Sequence, residues 1–216
     1  MTTRGPRSFD RDAALDIAMT LFWRHGYEAT SVAALTKAMG INPPSMYAAF
    51  GDKRRLFSEA VRRYAETHGS YGAKALEQTT SYDVVETMLH LAAAEYAGPG
   101  HPPGCLVVDG ATNTAEASDD VKQELRAFRE GIKQAIAARI AADVEAGLLP
   151  PDIDAPALAM FYAAVVQGMS TQARDGATPD ELRRMADVAL TAWPGGPGEA
   201  RDVRENVRSA AVSSRA

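Results

Sequence analysis

The chain has 216 residues, of which 41 are alanine, and 46% are hydrophobic while only 7% are aromatic. That balance suits closely packed helices in one large or two smaller domains far better than sheets. A single cysteine, Cys105, excludes an intrachain disulfide framework and points to a reducing compartment, and Met1–Asp12 lack the apolar stretch of a signal peptide. The net charge of −5 argues by itself against nucleic acid, but residues 1–65 hold ten basic against six acidic side chains, +4, and leave −9 for the rest. A basic segment on an acidic body is a pattern that directs one part of a protein to phosphates and keeps the remainder away.

In chain order, Ala14, Ile17, Ala18, Leu21 and Phe22 repeat at helical spacing between Asp10 and His25, and Gly26 follows as a stop. Thr30-Ser31 supply an N-cap for a short helix bearing Val32, Leu35 and Met39, which Gly40 ends. Pro43-Pro44 begin a third helix with Met46, Tyr47 and Phe50, and Asp52 caps a fourth with Leu56, Phe57, Ala60, Val61 and Tyr64 inward. Longer helices are expected over Tyr82–Tyr96 and from Asp119 to Gly147, with a shorter one from Cys105 to about Ala117 between them. The segment 98–104 is a Gly/Pro loop, Pro150-Pro151 break the chain, and two more helices run over Ala155–Asp175 and Thr178–Trp193. The stretch Ala155–Ala173 carries no charge, but Gln167, Ser170 and Gln172 make it a buried helix rather than a membrane span. Residues 194–216 are expected to form a flexible tail.

The informative spacing lies between Thr30 and Phe50. Two short helices joined by a glycine-containing turn, the second opened by proline, describe a helix-turn-helix. Val32, Leu35, Met46 and Phe50 pack it onto the first helix, leaving Asn42, Pro43, Ser45, Tyr47, Ala48 and Ala49 on a face that can enter a major groove. An ordinary helical hairpin would not need Lys53-Arg54-Arg55 immediately afterwards, nor an outward tyrosine flanked by alanines.

Thr30-Ser31-Val32, Gly40-Ile-Asn-Pro-Pro-Ser-Met-Tyr47 and Phe50-Gly-Asp-Lys53 resemble the DNA-binding signature of TetR/AcrR-family transcriptional regulators. The segment from Gln167 to Gly176 and the amphipathic helix ending at Trp193 resemble the dimerising part of the same family. The resemblance implies that Tyr47 gives its hydroxyl to a phosphate and that Lys53, at the start of helix four, binds another. Thr30 or Ser31 would act likewise at the start of helix two, Pro44 and Ser45 would sit nearest the bases, and Arg4 and Arg7 would reach the backbone or minor groove. Ala48 and Ala49 stand where some relatives carry larger side chains, shifting readout toward methyl contacts and DNA shape. Thr36 replaces an alanine common in such motifs.

The resemblance also implies a ligand-binding and dimerisation domain. Met88, Tyr96, His101, Cys105, Phe128, Phe161 and Tyr162 are candidate effector-lining residues, and Phe161, Val165, Met169, Met185 and Leu190 are candidate dimer contacts. Cys105 follows Gly104 at an expected helix start, where the helix dipole would favour a thiolate, with a buried apolar role as the alternative. No cofactor or metal is expected: the four histidines do not cluster at ligand spacing, and Pro102-Pro103 separate His101 from Cys105. Gly168-Met-Ser170 follows no strand and lacks the second glycine of a nucleophile elbow, and Gly98-x-Gly100 lacks the context of a dinucleotide site.

The expected molecule is therefore all-α and cytoplasmic, with about nine helices. A three-helix DNA-binding domain covers 1–65 and a helical ligand-binding and dimerisation domain covers 66–193. Its expected partners are a palindromic double-stranded operator, a small-molecule or reactive effector and a second copy, with no membrane and no enzymatic activity. The alternatives are a helical small-molecule-binding protein or enzyme whose DNA function has lapsed, and an architectural DNA binder indifferent to sequence.

Overall fold

The computed structural model describes residues 9–112 and 115–196, together with 198, 203, 205 and 207. Among these residues it is helical, with ten α-helices and no strand. Arg4 and Arg7 lie outside the described residues. The chain divides into two compact units, 1–69 with 105–125, and 70–104 with 126–216. Residues 105–125 are thus grouped with the N-terminal unit.

In the first unit, α1 (Arg11–Ala29) packs along α4 (Lys53–Glu66). Phe22 and Trp23 are fully enclosed, Phe22 meeting Phe57 edge-on at 5.0 Å and Trp23 meeting Tyr64 at 4.8 Å, the geometry aromatic quadrupoles favour. Between them lie α2 (Val32–Met39) and α3 (Pro43–Phe50), each eight residues long. Such short helices owe their stability to burial of Leu35, Met46 and Phe50 and to their caps rather than to propensity. Gly40 adopts φ 67°, the left-handed conformation that lets α2 stop and turn within two residues. Thr36 is accommodated because its hydroxyl donates to the Val32 carbonyl at 2.9 Å.

The helix expected from Cys105 to Ala117 is only α7 (Leu106–Asp109). Leu106 is buried in this unit, as are Val121 and Leu125 from the first turns of α8 (Asp119–Glu145).

The second unit is built around α6 (Ser81–Tyr96), against which α5 (Tyr71–Leu76), α9 (Ala155–Arg174) and α10 (Pro179–Leu190) pack. Alanines 92, 93, 159, 173 and 186 are buried, and their small side chains allow close helix approach. From α8, the Asp143 carboxylate accepts from both the N–H and the hydroxyl of Ser81 at 2.6 Å, holding the start of α6. Thr178 and Glu181 form a reciprocal cap at the start of α10. No described helix is long and apolar enough to cross a membrane.

Candidate nucleic-acid interface

The outer face of the α2–turn–α3 element is built by its caps. Ser31 Oγ accepts from the Ala34 N–H at 3.1 Å, fixing the first turn of α2. Asn42 Oδ1 accepts from Ser45 N–H at 2.8 Å, and the Asn42 carbonyl from Met46 N–H at 3.1 Å. Pro43 and Pro44 occupy the intervening positions, where their fixed φ suits a helix start. Because Met46 and Phe50 are buried, the opposite side of α3 carries Pro43, Pro44, Tyr47 and Ala48 to solvent, with Ser45 half-buried and Tyr47 48% exposed. Of the sequence-derived set, Asn42, Pro43, Pro44, Tyr47 and Ala48 stand in solvent, while Ser45 and Ala49 are half-buried.

Thr30 does not join it. The residue is 1% exposed and its hydroxyl donates to the Gly26 carbonyl at 2.7 Å, so its oxygen is used to close the end of α1. Of the two residues expected to serve at the start of α2, only Ser31 stands in solvent.

Lys53 opens α4, after Asp52, whose carboxylate accepts from Arg55 N–H at 2.8 Å. The Lys53 ammonium lies 4.1 Å from the centre of the Tyr27 ring, and partial burial there lowers its pKa below the ordinary 10.5, with Glu28 acting in the opposite direction. Burial, followed by the charge of Asp120, raises the Tyr27 hydroxyl. Glu28 is held below the ordinary range by the Ser118 hydroxyl, with the Ala115 N–H adding to it.

The positive balance of this region is partly neutralised inside the unit. Arg63 makes a two-pronged pair with Asp16, at 2.8 and 3.1 Å. Arg54 bonds Asp120, Glu124 and Ser58. Arg11 pairs with Glu59, donates to the Ala49 carbonyl and lies 4.5 Å over the Phe50 ring, tying α1, α3 and α4 together. Arg24, Lys37, Arg55 and Arg62 remain exposed. Charge counting could not separate these groups, because the acidic partners of Arg54, Asp120 and Glu124, lie 66 and 70 residues away.

The effector candidates are scattered. Met88, Tyr96 and Tyr162 are buried in the second unit, where the Tyr96 hydroxyl lies 2.6 Å from that of Tyr71. Tyr162 donates to the Ala189 carbonyl at 3.2 Å, and burial raises its pKa. His101 sits 3.4 Å from Glu95, and Phe128 is half-buried. A cavity of about 40 Å³, room for about one water, lies in this unit among Ser81, Tyr82, Asp143, Leu148 and Trp193, and none of the effector candidates lines it.

Cys105 belongs to the first unit and is buried. The four-residue α7 beyond it offers little dipole, and its N–H donates to the Asp109 carboxylate at 3.3 Å. Cys105 is thus the N-cap of a single-turn helix, shorter than the one expected to run to Ala117.

The dimer candidates also divide. Met169 and Leu190 are buried within the chain's own fold, and so drop out of any surface, while Val165 and Met185 are half-buried. Phe161 is 43% exposed, and α9 and α10 also expose Met160 and Val188, at 58% and 70%, two residues sequence reasoning missed. On an alanine-rich helix with apolar residues all round, spacing alone does not tell an inward face from an outward one.

The chain matches the family model described as bacterial regulatory proteins, tetR family, over residues 14–60. A second match, to the model described as tetracyclin repressor-like, C-terminal domain, covers residues 84–189. It is similar to the HTH-type transcriptional repressor ComR of Escherichia coli strain K12, with 34% identity over 191 residues, 88% of this chain and 91% of that one. The repressor BdcR of the same strain is 33% identical over 186 residues, 85% and 89% of the two chains. Among solved structures, a cysteine-substituted form of the TetR-family regulator CifR complexed with 26-bp double-strand operator DNA matches with a TM-score of 0.82. Its identity is 41%, over 88% of this chain and 100% of that one.

Proposed function

The chain belongs to the tetR family of bacterial regulatory proteins and is a helix-turn-helix DNA-binding transcriptional regulator, and from that premise we propose that it acts in the cytoplasm as a homodimeric repressor released from a palindromic operator by an effector. The observation that carries this reading is the α3 face, where Tyr47 stands exposed among Pro43, Pro44 and Ala48 while Met46 and Phe50 anchor the helix beneath. Tyr47 and Lys53 hold phosphates; Ser31, with the first amides of α2, holds another. Asn42, Pro43, Pro44, Ser45 and Ala48 meet the groove, where hydrocarbon contact with thymine methyls outweighs side-chain hydrogen bonding. Arg4 and Arg7, ahead of α1, add backbone or minor-groove contacts.

A second copy joins through α9 and α10. The support is the exposed apolar set Met160, Phe161 and Val188 on helices that carry no charge between Asp154 and Arg174 on α9. Two recognition helices related by a two-fold axis then meet half-sites about 34–36 Å apart. The effector enters the second unit, where the paired hydroxyls of Tyr71 and Tyr96 are a polar handle inside an apolar interior. Differential affinity of about 1–3 kcal/mol between DNA-competent and released states is the usual size of such coupling.

Sedimentation and fluorescence anisotropy with duplexes tiled from the DNA upstream of its own gene test the reading. The expected result is a dimer that selects one palindromic duplex over the others. A monomer with no preferred duplex would overturn it, and a steep salt dependence without selection would favour an architectural binder.

A further inference from the structure

We infer that Tyr27 is a positioning residue for DNA binding, its ring holding the Lys53 ammonium at the protein surface where a phosphate can complete its coordination; this rests on the phosphate role proposed for Lys53. An unrestrained lysine distributes its charge over many rotamers and loses that freedom when it grips a phosphate. Here the ammonium is already placed, 4.1 Å from the ring centre. An aromatic face attracts a cation without neutralising it, so one side of the ammonium is taken by the ring and its remaining N–H groups stay available.

The ring is itself fixed from three directions. Phe57 of α4 meets it edge-on at 5.1 Å and Phe22 stacks at 6.2 Å. The third constraint is on the backbone. Gly26, at φ 75° and ψ 172°, breaks the helical path of α1 one residue earlier, so the Tyr27 N–H leaves the helix and donates to the Gly110 carbonyl at 2.9 Å. A side chain at position 26 would be strained at that φ and would come within 3.4 Å of the same carbonyl. On the next residue, Glu28 accepts from Ala115 N–H at 3.1 Å. The residues following α7 thus hold Tyr27 and Glu28, and Tyr27 in turn holds Lys53. Ordinary core packing would account for an aromatic here, but not for a cation centred on its face at the first residue of α4.

A double-substitution cycle on the full-length protein tests the inference, with binding measured by anisotropy on a labelled duplex from the DNA upstream of its own gene. Tyr27→Leu is expected to weaken binding about threefold to tenfold, and Tyr27→Phe to retain it. In the Lys53→Ala background, which itself lowers the salt slope by about 1 per site, Tyr27→Leu should bring no further loss. Pentafluorophenylalanine at position 27 keeps the ring's shape while reversing its quadrupole, and reproduces the loss even where leucine disturbs folding. Additive losses, or full affinity with the fluorinated ring, overturn the role of Tyr27 alone. Unchanged binding by Lys53→Ala overturns both that role and the phosphate assignment beneath it.

Discussion

Two exposed faces of this molecule are built on opposite terms. The outer side of α3 shows a tyrosine, two prolines and an alanine over a helix whose caps are complete, with Lys53 beside it on the next helix. The outer side of α9 and α10 shows Met160, Phe161 and Val188. The first face keeps its charges and hydroxyls hydrated until a charged partner replaces the water; the second gains only by leaving water. On the reading proposed above, one chain meets two kinds of partner, separable by salt.

The comparison breaks most readily at the apolar face. Phe161→Asp is expected to raise the dimer dissociation constant at least about a hundredfold, since a charge would be placed in a desolvated interface; analytical ultracentrifugation measures it, and operator affinity should fall with it. Raising salt should leave the wild-type dimer intact while stripping it from DNA. At the polar face, Lys53→Ala and Tyr47→Phe should each weaken binding to every duplex by about threefold to tenfold in anisotropy titrations. Ser45→Ala should instead change the ranking of duplexes. A smaller effect is expected from Thr178→Ala, which removes the reciprocal cap of α10 and costs about 1 kcal/mol in thermal unfolding.

The smallest effect concerns acid. The Arg54 guanidinium beside Asp120 holds its carboxyl below the ordinary 3.8. A depressed carboxyl stabilises the fold fully above its unfolded value, and that contribution is lost as pH falls through the folded one. The difference in thermal midpoint between wild type and Asp120→Asn should therefore be present at about pH 6 and shrink below about pH 4, remaining under about 1 kcal/mol for so exposed a pair.

Much of the first unit was legible in the sequence because its signals are local. Gly40, Asn42, Pro43 and Asp52 each act within four residues, and the helices between them begin and end within a residue or two of expectation. The missing pieces depend on distance along the chain. Six-residue α5, interrupted by Gly72, is too short to show a period, and α7 stops at Asp109 instead of continuing to Ala117. Tyr27 looked like a residue after a helix stop; only the Gly110 carbonyl, 83 positions on, reveals why its backbone leaves the helix. Met169 sits on a helix that is apolar nearly all round and Leu190 on an amphipathic one, so neither spacing separates a dimer contact from a core residue; packing against neighbouring helices buries both.

The opening turn of α3 has a consequence for what the protein can discriminate. Most helix starts offer loose amides to an anion, but here two positions have no N–H and the next two are occupied by Asn42. The tip therefore presents no free amide N–H at these four positions. In the base-proximal role proposed above, its pyrrolidine rings would press against base edges, so a wrong letter would be rejected by an ill-fitting surface more than by a missing polar partner.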